Sequence, residues 1–241
     1  MRSLRIALVS ERVSPLAPPG GDADPLRAHV AALSRALARR GHQVTVHTRR
    51  ADTRLGEDVP LCPGVLVHHV GECLALGTSE EDVLRGMADF GERLADYWIH
   101  HPPTIAHAHF WTSGLVALPG AHYLGVPLVQ TFHALGGSAA RGRDDGRGDG
   151  RGVTASGRLA IETAVGRQAD RVLAGCQDEF GALRAMGVAE ERIRLLPRDG
   201  DHSVSRRPPA AARHARDRAA AFTELVYREA LETRSPRREH P

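Results

Sequence analysis

Two histidines close a short apolar run in the stretch TIAHAHFWTSGL, residues 104 to 115. If this run forms a strand, His107 and His109 point to the same face, because alternate side chains of a strand share a face. A third histidine, His133, follows the next apolar run, PLVQTF. Parallel strands end at one edge of a sheet, so the three imidazoles are expected near one cleft. They could bind zinc, transfer protons or line a substrate cleft.

The surroundings of these histidines favour the substrate cleft. No Asp or Glu stands at a matching strand end to complete a zinc site, and the sequence identifies no group that would orient the imidazoles. We therefore expect no metal ion, and histidines that only fill the core are the other alternative. Trp111 could present its aromatic face to a sugar ring, whereas Phe110 is expected to be a packing residue.

A glycine pair, Gly20 and Gly21, lies between the first apolar run and the first helical pattern. Such a pair lets the backbone approach a phosphate closely, and the helix that follows offers free N–H groups. A plain turn is the alternative interpretation. The G-x-G-x-x-G fingerprint of dinucleotide-binding enzymes and the Gly-Lys-Ser/Thr of a P-loop are both missing from this stretch.

The elements that would position these residues alternate along the chain. Short apolar runs predict strands at 4–10, 42–49, 64–70, 104–109, 127–132, 170–176 and 192–197. Apolar residues at helical spacing predict helices at 25–40, 82–100, 113–123, 158–169, 177–186 and 216–234. This alternation predicts an α/β fold with a doubly wound, Rossmann-like parallel sheet, whose ligands bind at the carboxyl ends of the strands.

Composition limits the classes of protein to which the chain can belong. The chain has 241 residues, 41% of them hydrophobic, which is enough for a folded core. All 32 basic residues are arginine and the net charge is +3, which favours anionic ligands or reflects only a GC-rich genome. The three cysteines form no C-x-x-C pair, so a reducing, cytoplasmic location is expected. No apolar run approaches the length of a membrane span.

Two polar segments interrupt the pattern and suggest the domain boundaries. Residues 136–157 are rich in glycine and charge, so we expect a mobile loop inside a domain that spans 1–197. Aspartates interleave the arginines of this loop and no aromatic ring accompanies them, so nucleic-acid binding is not expected. Residues 198–213 are predicted to be a polar linker, and 214–241 a C-terminal helix and tail.

Six pieces of the chain together resemble the N-terminal, acceptor-side half of a family 4 glycosyltransferase, over about residues 4 to 201. They are the glycine pair with HVAALSRALARRGHQVTVHTRR, then HAHFWTSG, PLVQTFHALG, Arg158 with Glu162, ADRVLAGCQDE and MGVAEERIRLLPRDGD. The resemblance implies a GT-B enzyme with two Rossmann-like domains. Such enzymes transfer a sugar from a nucleotide-sugar donor to an acceptor and retain the anomeric configuration.

The resemblance also implies roles for the candidate residues. Gly20 and Gly21 would approach the donor diphosphate, and His133 would be the catalytic residue beside the transferred sugar. The remaining candidates would bind a sugar or polyol acceptor: His109, Trp111, Thr131, Arg158 and Glu162. Arg158 falls where relatives that use phosphorylated acceptors place an anion-binding arginine. In the simpler interpretation, Arg158 and Glu162 only pair with each other, four residues apart on one helix face.

The chain departs from the family after residue 201. Only about forty residues follow, and they contain no strand–helix unit, so the donor-binding domain is expected to be missing. The stretch FTELVYREALE resembles the terminal helix of GT-B enzymes, which crosses back to pack on the first domain. We therefore hypothesise that both ends of a longer ancestor are retained. An apolar stripe would dock the helix: Phe222, Leu225, Val226 and Leu231.

Two classes of function follow from this interpretation. The chain is either a glycosyltransferase half that works with a separate donor-domain chain, or a non-catalytic binding module that remains from a truncated enzyme. A nicotinamide-linked oxidoreductase is a weaker third alternative, because its glycine fingerprint is missing. The fold alone does not decide between them, since function depends on the site.

Overall fold

The computed structural model describes residues 2–11, 13–16, 24–50, 54–71, 80–135, 153–197 and 209–234. Its strands are β1 Arg5–Val9, β2 Gln43–Thr48, β3 Asp58–Cys62, β4 Val65–His69, β5 Ile105–His109, β6 Leu128–Thr131, β7 Arg171–Ala174 and β8 Ile193–Leu195. Its α-helices are α1 Asp24–Arg39, α2 Glu80–His100, α3 Trp111–Tyr123, α4 Ala155–Gln168, α5 Gln177–Ala185 and α6 Pro209–Arg234, and a 3₁₀ turn spans Glu190–Arg192.

The strands form one eight-stranded sheet in the order β3-β4-β2-β1-β5-β6-β7-β8. All neighbouring pairs are parallel except β3 and β4. From β1 the chain builds the sheet outward through β2 and β4, then returns to place β5 on the other side of β1. The switch point of this doubly wound sheet therefore lies between β1 and β5, where such folds bind ligands. The predicted α/β, Rossmann-like fold is confirmed.

Helices cover both faces of the sheet, as a parallel sheet requires. Ala7 and Val9 of β1 face the core beneath α2, α3 and α4, whereas Ile6 and Leu8 face the core beneath α1 and α6. The alternation along β1 follows from the two-residue period of a strand. Among the described residues, no helix has the length and hydropathy needed to cross a bilayer.

Strand β3 was not predicted from the sequence. It lies at the edge of the sheet, antiparallel to β4, and its residues are half-buried or exposed. Pro60 fits there because an edge strand leaves some of its N–H positions unpaired, and the pairing is irregular between Pro60 and Cys62. Asp58 lies opposite His68, with 2.8 Å between Asp58 Oδ1 and His68 Nδ1.

The predicted mobile loop at 136–157 extends too far. Residues 136–152 lie outside the described part of the chain, but the last five residues belong to the folded domain. Val153 is buried in the core, and the Thr154 side chain caps α4 by accepting a hydrogen bond from the Gly157 N–H at 3.1 Å. The average composition of a polar segment does not reveal one buried apolar residue or one helix-capping residue at its end.

Helix α6 docks on the first domain and begins earlier than expected. It starts at Pro209, inside the predicted linker 198–213, because proline suits the first position of a helix. Val226 is buried in the core shared with α1, and Phe222 and Leu231 are half-buried against it. Leu225, assigned to the same apolar stripe, is 57% exposed, so that assignment is wrong. The residue that replaces it in the core is Tyr227, two positions along.

Candidate functional site

The carboxyl ends of β5 and β6 are held side by side, with His109 opposite Thr131. Immediately beyond them the backbone turns sharply: Phe110 has a φ of 74° and His133 a φ of 61°. Among the described residues these are the only non-glycine residues with positive φ. A bulky residue in this region is strained, and such strain persists where surrounding contacts hold it, often at functional sites.

His109 and His133 form the centre of the site. Their imidazoles are stacked, with 2.9 Å between His109 Nδ1 and His133 Nε2. His29 of α1 meets both rings edge-on, with centroid distances of 5.5 Å to His109 and 4.9 Å to His133. His109 is buried, and the other two are half-buried. The structure thus confirms that His109 and His133 come together, as expected from their strand ends.

His107 takes a different position from the one expected. It faces the same side of β5 as His109, as predicted, and the two ring centroids are 4.2 Å apart. However, it lies below the cluster, with Nδ1 2.7 Å from the Tyr227 hydroxyl and Nε2 2.8 Å from the Thr131 hydroxyl. Burial, and then the charge of His29, lower the pKa of His107 to about 3. His107 is therefore a neutral, fully engaged group that supports the floor of the site.

Thr131 and Trp111 do not present surface to an acceptor in this structure. The Thr131 hydroxyl is bonded to His107, and its residue is 3% exposed. Trp111 is fully buried as the first residue of α3, inside the core formed with α2 and α4. The assignment of Trp111 to a sugar-binding wall is therefore corrected: the indole fills space between helices. Phe110 packs in that same core, as predicted.

Arg158 and Glu162 form the pair that the simpler interpretation predicted. Arg158 Nε donates to Glu162 Oε1 at 2.8 Å, and a second guanidinium nitrogen donates to the Ala134 carbonyl at 2.6 Å. The guanidinium also lies 5.4 Å from the centre of the Phe110 ring. Glu162 is fully buried, whereas Arg158 keeps a small exposed fraction. The pair thus joins α4 to the turn that carries His133.

A second arginine–carboxylate pair was missed. Glu11 closely follows β1, is fully buried and is bonded to Nε of Arg49, which directly follows β2. The Ser113 hydroxyl accepts a hydrogen bond from the Glu11 N–H at 2.9 Å, and Arg49 donates to the Gly86 carbonyl at 2.9 Å. The sequence did offer a signal for this pair: Glu11 stands just after one predicted strand, and Arg49 is the last residue of another. This pair places another cation at the same edge of the sheet as Arg158.

The histidine trio is also the group that could hold a metal ion. One ring nitrogen from each of His29, His109 and His133 lies within 4.8 Å of the other two. His29 was missed because it lies inside the predicted helix 25–40, where apolar spacing gives no sign of a metal ligand. Gly20 and Gly21, the predicted donor-phosphate residues, lie outside the described residues, so their role stays a prediction.

Comparisons with known proteins identify the family of the chain. The family model described as Glycosyltransferase Family 4 matches residues 26–198. The chain is 36% identical over 201 residues to D-inositol 3-phosphate glycosyltransferase 1 of Catenulispora acidiphila, covering 80% of this chain and 45% of that protein. It is 33% identical over 229 residues to D-inositol 3-phosphate glycosyltransferase of Nocardiopsis dassonvillei, covering 92% and 52%. The chain thus spans about half the length of these relatives.

Solved structures show the same fold. A sucrose-phosphate synthase from Thermosynechococcus elongatus matches with a TM-score of 0.66 and 24% identity, covering 80% of this chain and 47% of that chain. A second structure of that enzyme, named for its segments 27–220 and 406–426, matches with a TM-score of 0.63 and 20% identity. It covers 93% of this chain and 97% of that chain. From the extent of the family match, the chain belongs to glycosyltransferase family 4.

Proposed function

We propose that this chain is the acceptor-binding half of a retaining glycosyltransferase that uses a nucleotide-sugar donor and a phosphorylated polyol acceptor. One observation carries the proposal: His109, His133 and Arg158 gather at the ends of β5 and β6 in a family 4 chain. The acceptor class is supported by relatives named for D-inositol 3-phosphate. A polyol phosphate needs hydrogen-bonding groups for its hydroxyls and a cation for its phosphate, and this edge offers both.

His133 is the group that we place beside the transferred sugar. Its strained backbone and its 2.9 Å contact with His109 hold the imidazole in one orientation. A fixed imidazole donates or accepts a hydrogen bond without the entropy loss of ordering it, which favours the transition state over the free substrate. The position of His109 beside it supports an acceptor-side role for that residue.

Arg158 is the group that we propose for the acceptor phosphate. Its positive charge is already balanced by Glu162, so phosphate binding uses the remaining N–H groups and the small exposed part of the guanidinium. Glu162 then acts through Arg158, which it orients, rather than by touching the acceptor. This revises the acceptor-binding role expected for Glu162, because its carboxylate is fully buried.

A donor-binding wall is proposed to lie outside this sequence. The chain covers about half of each compared relative, and GT-B enzymes close a cleft between two domains. A donor domain would supply the nucleotide pocket, with Gly20 and Gly21 approaching the diphosphate. The expectation that sugar transfer needs no metal ion stays a prediction, as does the cytoplasmic location.

The acceptor proposal is tested by calorimetric titration of D-inositol 3-phosphate into the purified chain, in buffer that contains a chelator. Saturable binding is expected, at least tenfold weaker in His109→Asn and in Arg158→Lys. Asparagine keeps a polar side chain but lacks the imidazole ring, and lysine keeps the charge but loses the planar fork. Matched controls are His122→Asn on α3 and Arg167→Lys on α4, which should bind like the wild type. Absence of saturable binding, or equal binding by all four variants, contradicts the proposal.

A non-catalytic binding module is the second candidate. The observation that favours it is the burial of two predicted acceptor residues: Thr131 is bonded to His107, and Trp111 is fully buried. A binding module would bind the acceptor but transfer no sugar when nucleotide sugars and a donor domain cloned from a relative are added. Sugar transfer in that mixture selects the first candidate, and the anomeric configuration of the product, read by NMR, tests retention.

A further inference from the structure

We propose that His29, His109 and His133 form a binding site for one divalent transition-metal ion, with Zn²⁺ as the probe. The three residues come from α1, β5 and the turn after β6, and one ring nitrogen from each lies within 4.8 Å of the others. The site shares His109 and His133 with the proposed function and adds His29, which takes no part in that function.

The spacing is close to that of a real zinc centre. Zinc–nitrogen bonds of about 2.0 to 2.1 Å place the ligand nitrogens of a tetrahedral site roughly 3.3 Å apart. His109 Nδ1 and His133 Nε2, at 2.9 Å, are already near this separation. The remaining adjustment falls on His29, which is half-buried and meets both rings edge-on. Closing the site therefore takes a movement of the His29 ring towards these two nitrogens.

The surroundings fix two of the ligands before any ion arrives. His109 ends β5, is 1% exposed and packs against the neutral ring of His107. His133 is held by the turn that Arg158 ties to α4 through the Ala134 carbonyl. Preorganised ligands lose little entropy on binding, which raises the affinity for the ion. The half-buried positions of His29 and His133 leave a path for the ion.

Metal binding replaces the hydrogen bond between His109 and His133. Two neutral imidazoles that share this bond hold one proton between Nδ1 and Nε2. For both nitrogens to bind the ion, that proton moves to the other nitrogen of its own ring. No bond other than N–H is broken, and the net charge rises by the two charges of the ion.

The bound ion would have an open fourth position. Three imidazoles and an exchangeable fourth ligand are typical of zinc sites that bind water or an anion. Imidazole is a neutral ligand, so three of them leave the double charge of the ion in place. This charge would lie at the same edge of the sheet as Arg158 and Arg49, and would attract an anionic ligand.

The proposal departs from the expectation that no metal ion binds. That expectation considered His107, His109 and His133, with no further ligand in the sequence. The structure turns His107 towards Tyr227 and Thr131 and brings His29 in its place. A helix that follows β1 supplies the ligand that strand ends alone do not.

The test is a titration of chelator-treated full chain with Zn²⁺, followed by calorimetry and by metal analysis after dialysis. We expect one ion per chain, and at least a tenfold loss of affinity in His29→Ala and in His133→Asn. Alanine suits a helix interior, so His29→Ala should keep its fold, which circular dichroism checks. His122→Ala, in which an exposed histidine is removed from α3, is the matched control and should keep the wild-type affinity.

Substitution with Co²⁺ gives a second readout. Its visible absorption should show tetrahedral nitrogen coordination in the wild type and lose this band in His29→Ala. Equal Zn²⁺ affinity in the wild type and in both site variants overturns the proposal, as does binding no stronger than that of free imidazole. His29→Ala should still bind D-inositol 3-phosphate within twofold of the wild type in chelator. The metal proposal and the proposed function therefore fail or stand separately.

Discussion

The Tyr227 hydroxyl lies 2.7 Å from His107 Nδ1, so the last helix reaches the floor of the histidine site, 120 positions away in sequence. Both residues are buried, and burial raises the pKa of Tyr227 well above its ordinary value. His107 in turn bonds Thr131, the neighbour of His109 across the two strands. Helix α6 is thus part of the support of the site and not only a cover of the sheet.

Tyr227→Phe should therefore destabilise the protein. The ring still fills the core, but His107 Nδ1 loses its partner in a buried position, which costs about 1 to 3 kcal/mol. Urea unfolding of the wild type and the variant measures the difference. Tyr123→Phe is the control: Tyr123 is 83% exposed, and its change should stay within about 0.5 kcal/mol. Equal stability of both variants would show that the hydroxyl contributes nothing to the floor.

Gly114 allows α3 to approach β6 and α4. A Cβ at this position would lie 2.6 Å from a methyl carbon of Val165 and even closer to the side-chain oxygen of Gln130. Gln130 Nε2 donates to the Phe110 carbonyl at 3.1 Å, so a displaced Gln130 would loosen the strained turn after β5. Gly114→Ala should cost about 1 to 3 kcal/mol through overpacking.

Gly181→Ala provides the matched control for this substitution. Gly181 lies inside α5, and apart from its chain neighbours and the backbone of its own helix, no atom of the described residues lies within 4 Å of the position that an alanine Cβ would take. Alanine should therefore stabilise by roughly 0.5 to 1 kcal/mol through helix propensity. Thermal unfolding of the two variants should move in opposite directions. A stable Gly114→Ala protein would mean that α3 shifts away from β6 without cost.

Part of this arrangement was predictable from the sequence, because it depends on how side chains alternate along each strand. The apolar runs of β1, β5 and β6 and their two-residue alternation place His107 and His109 on one face. The doubly wound order then brings the strand ends together. Strand β3 lacked this signal, since a half-exposed edge strand has weak alternation and contains Pro60.

The remaining features depend on packing between elements distant in sequence. The spacing of Val30, Leu33 and Leu37 indicates the buried face of α1, but not that His29 extends over the ends of β5 and β6. The burial of Trp111 likewise follows from the contact of α3 with α2 and α4, which no local pattern encodes. The family resemblance implied that Trp111 contacts the acceptor, but this packing buries its side chain.

The Arg158–Glu162 pair should be more sensitive to the loss of one partner than to the loss of both. Arg158→Leu leaves the fully buried Glu162 carboxylate without this cation, which should cost about 3 kcal/mol or more. The double variant Arg158→Leu/Glu162→Leu replaces both charges with apolar volume and should recover most of that loss. Urea unfolding of these two variants and of Glu162→Leu measures this. A double variant as unstable as the sum of its single changes would contradict the coupling.

Glu224 of α6 makes the docking of the helix dependent on pH. Burial alone would raise its pKa, but hydrogen bonds from Arg228 and Arg40, with the His42 ring 3.3 Å away, lower it from 4.5 to about 2. A depressed carboxyl pKa stabilises the folded state above the unfolded pKa, and this contribution is lost as the pH falls through the folded pKa. The Glu224 contribution should therefore decline between pH 4.5 and about 2.

Glu224→Gln isolates this contribution, because it keeps the size of the side chain and removes its titration. The difference in unfolding free energy between the wild type and Glu224→Gln should be largest above pH 4.5 and shrink as the pH falls to about 2. Asp217→Asn is the control on the same helix: its pairing with Arg39 at 2.6 Å is half-exposed, so solvent screens it. Urea unfolding at a series of pH values measures all three proteins. A difference that stays constant across this range, or that grows as the pH falls, would show that the network of Arg40, His42 and Arg228 does not hold the Glu224 carboxylate in its charged form.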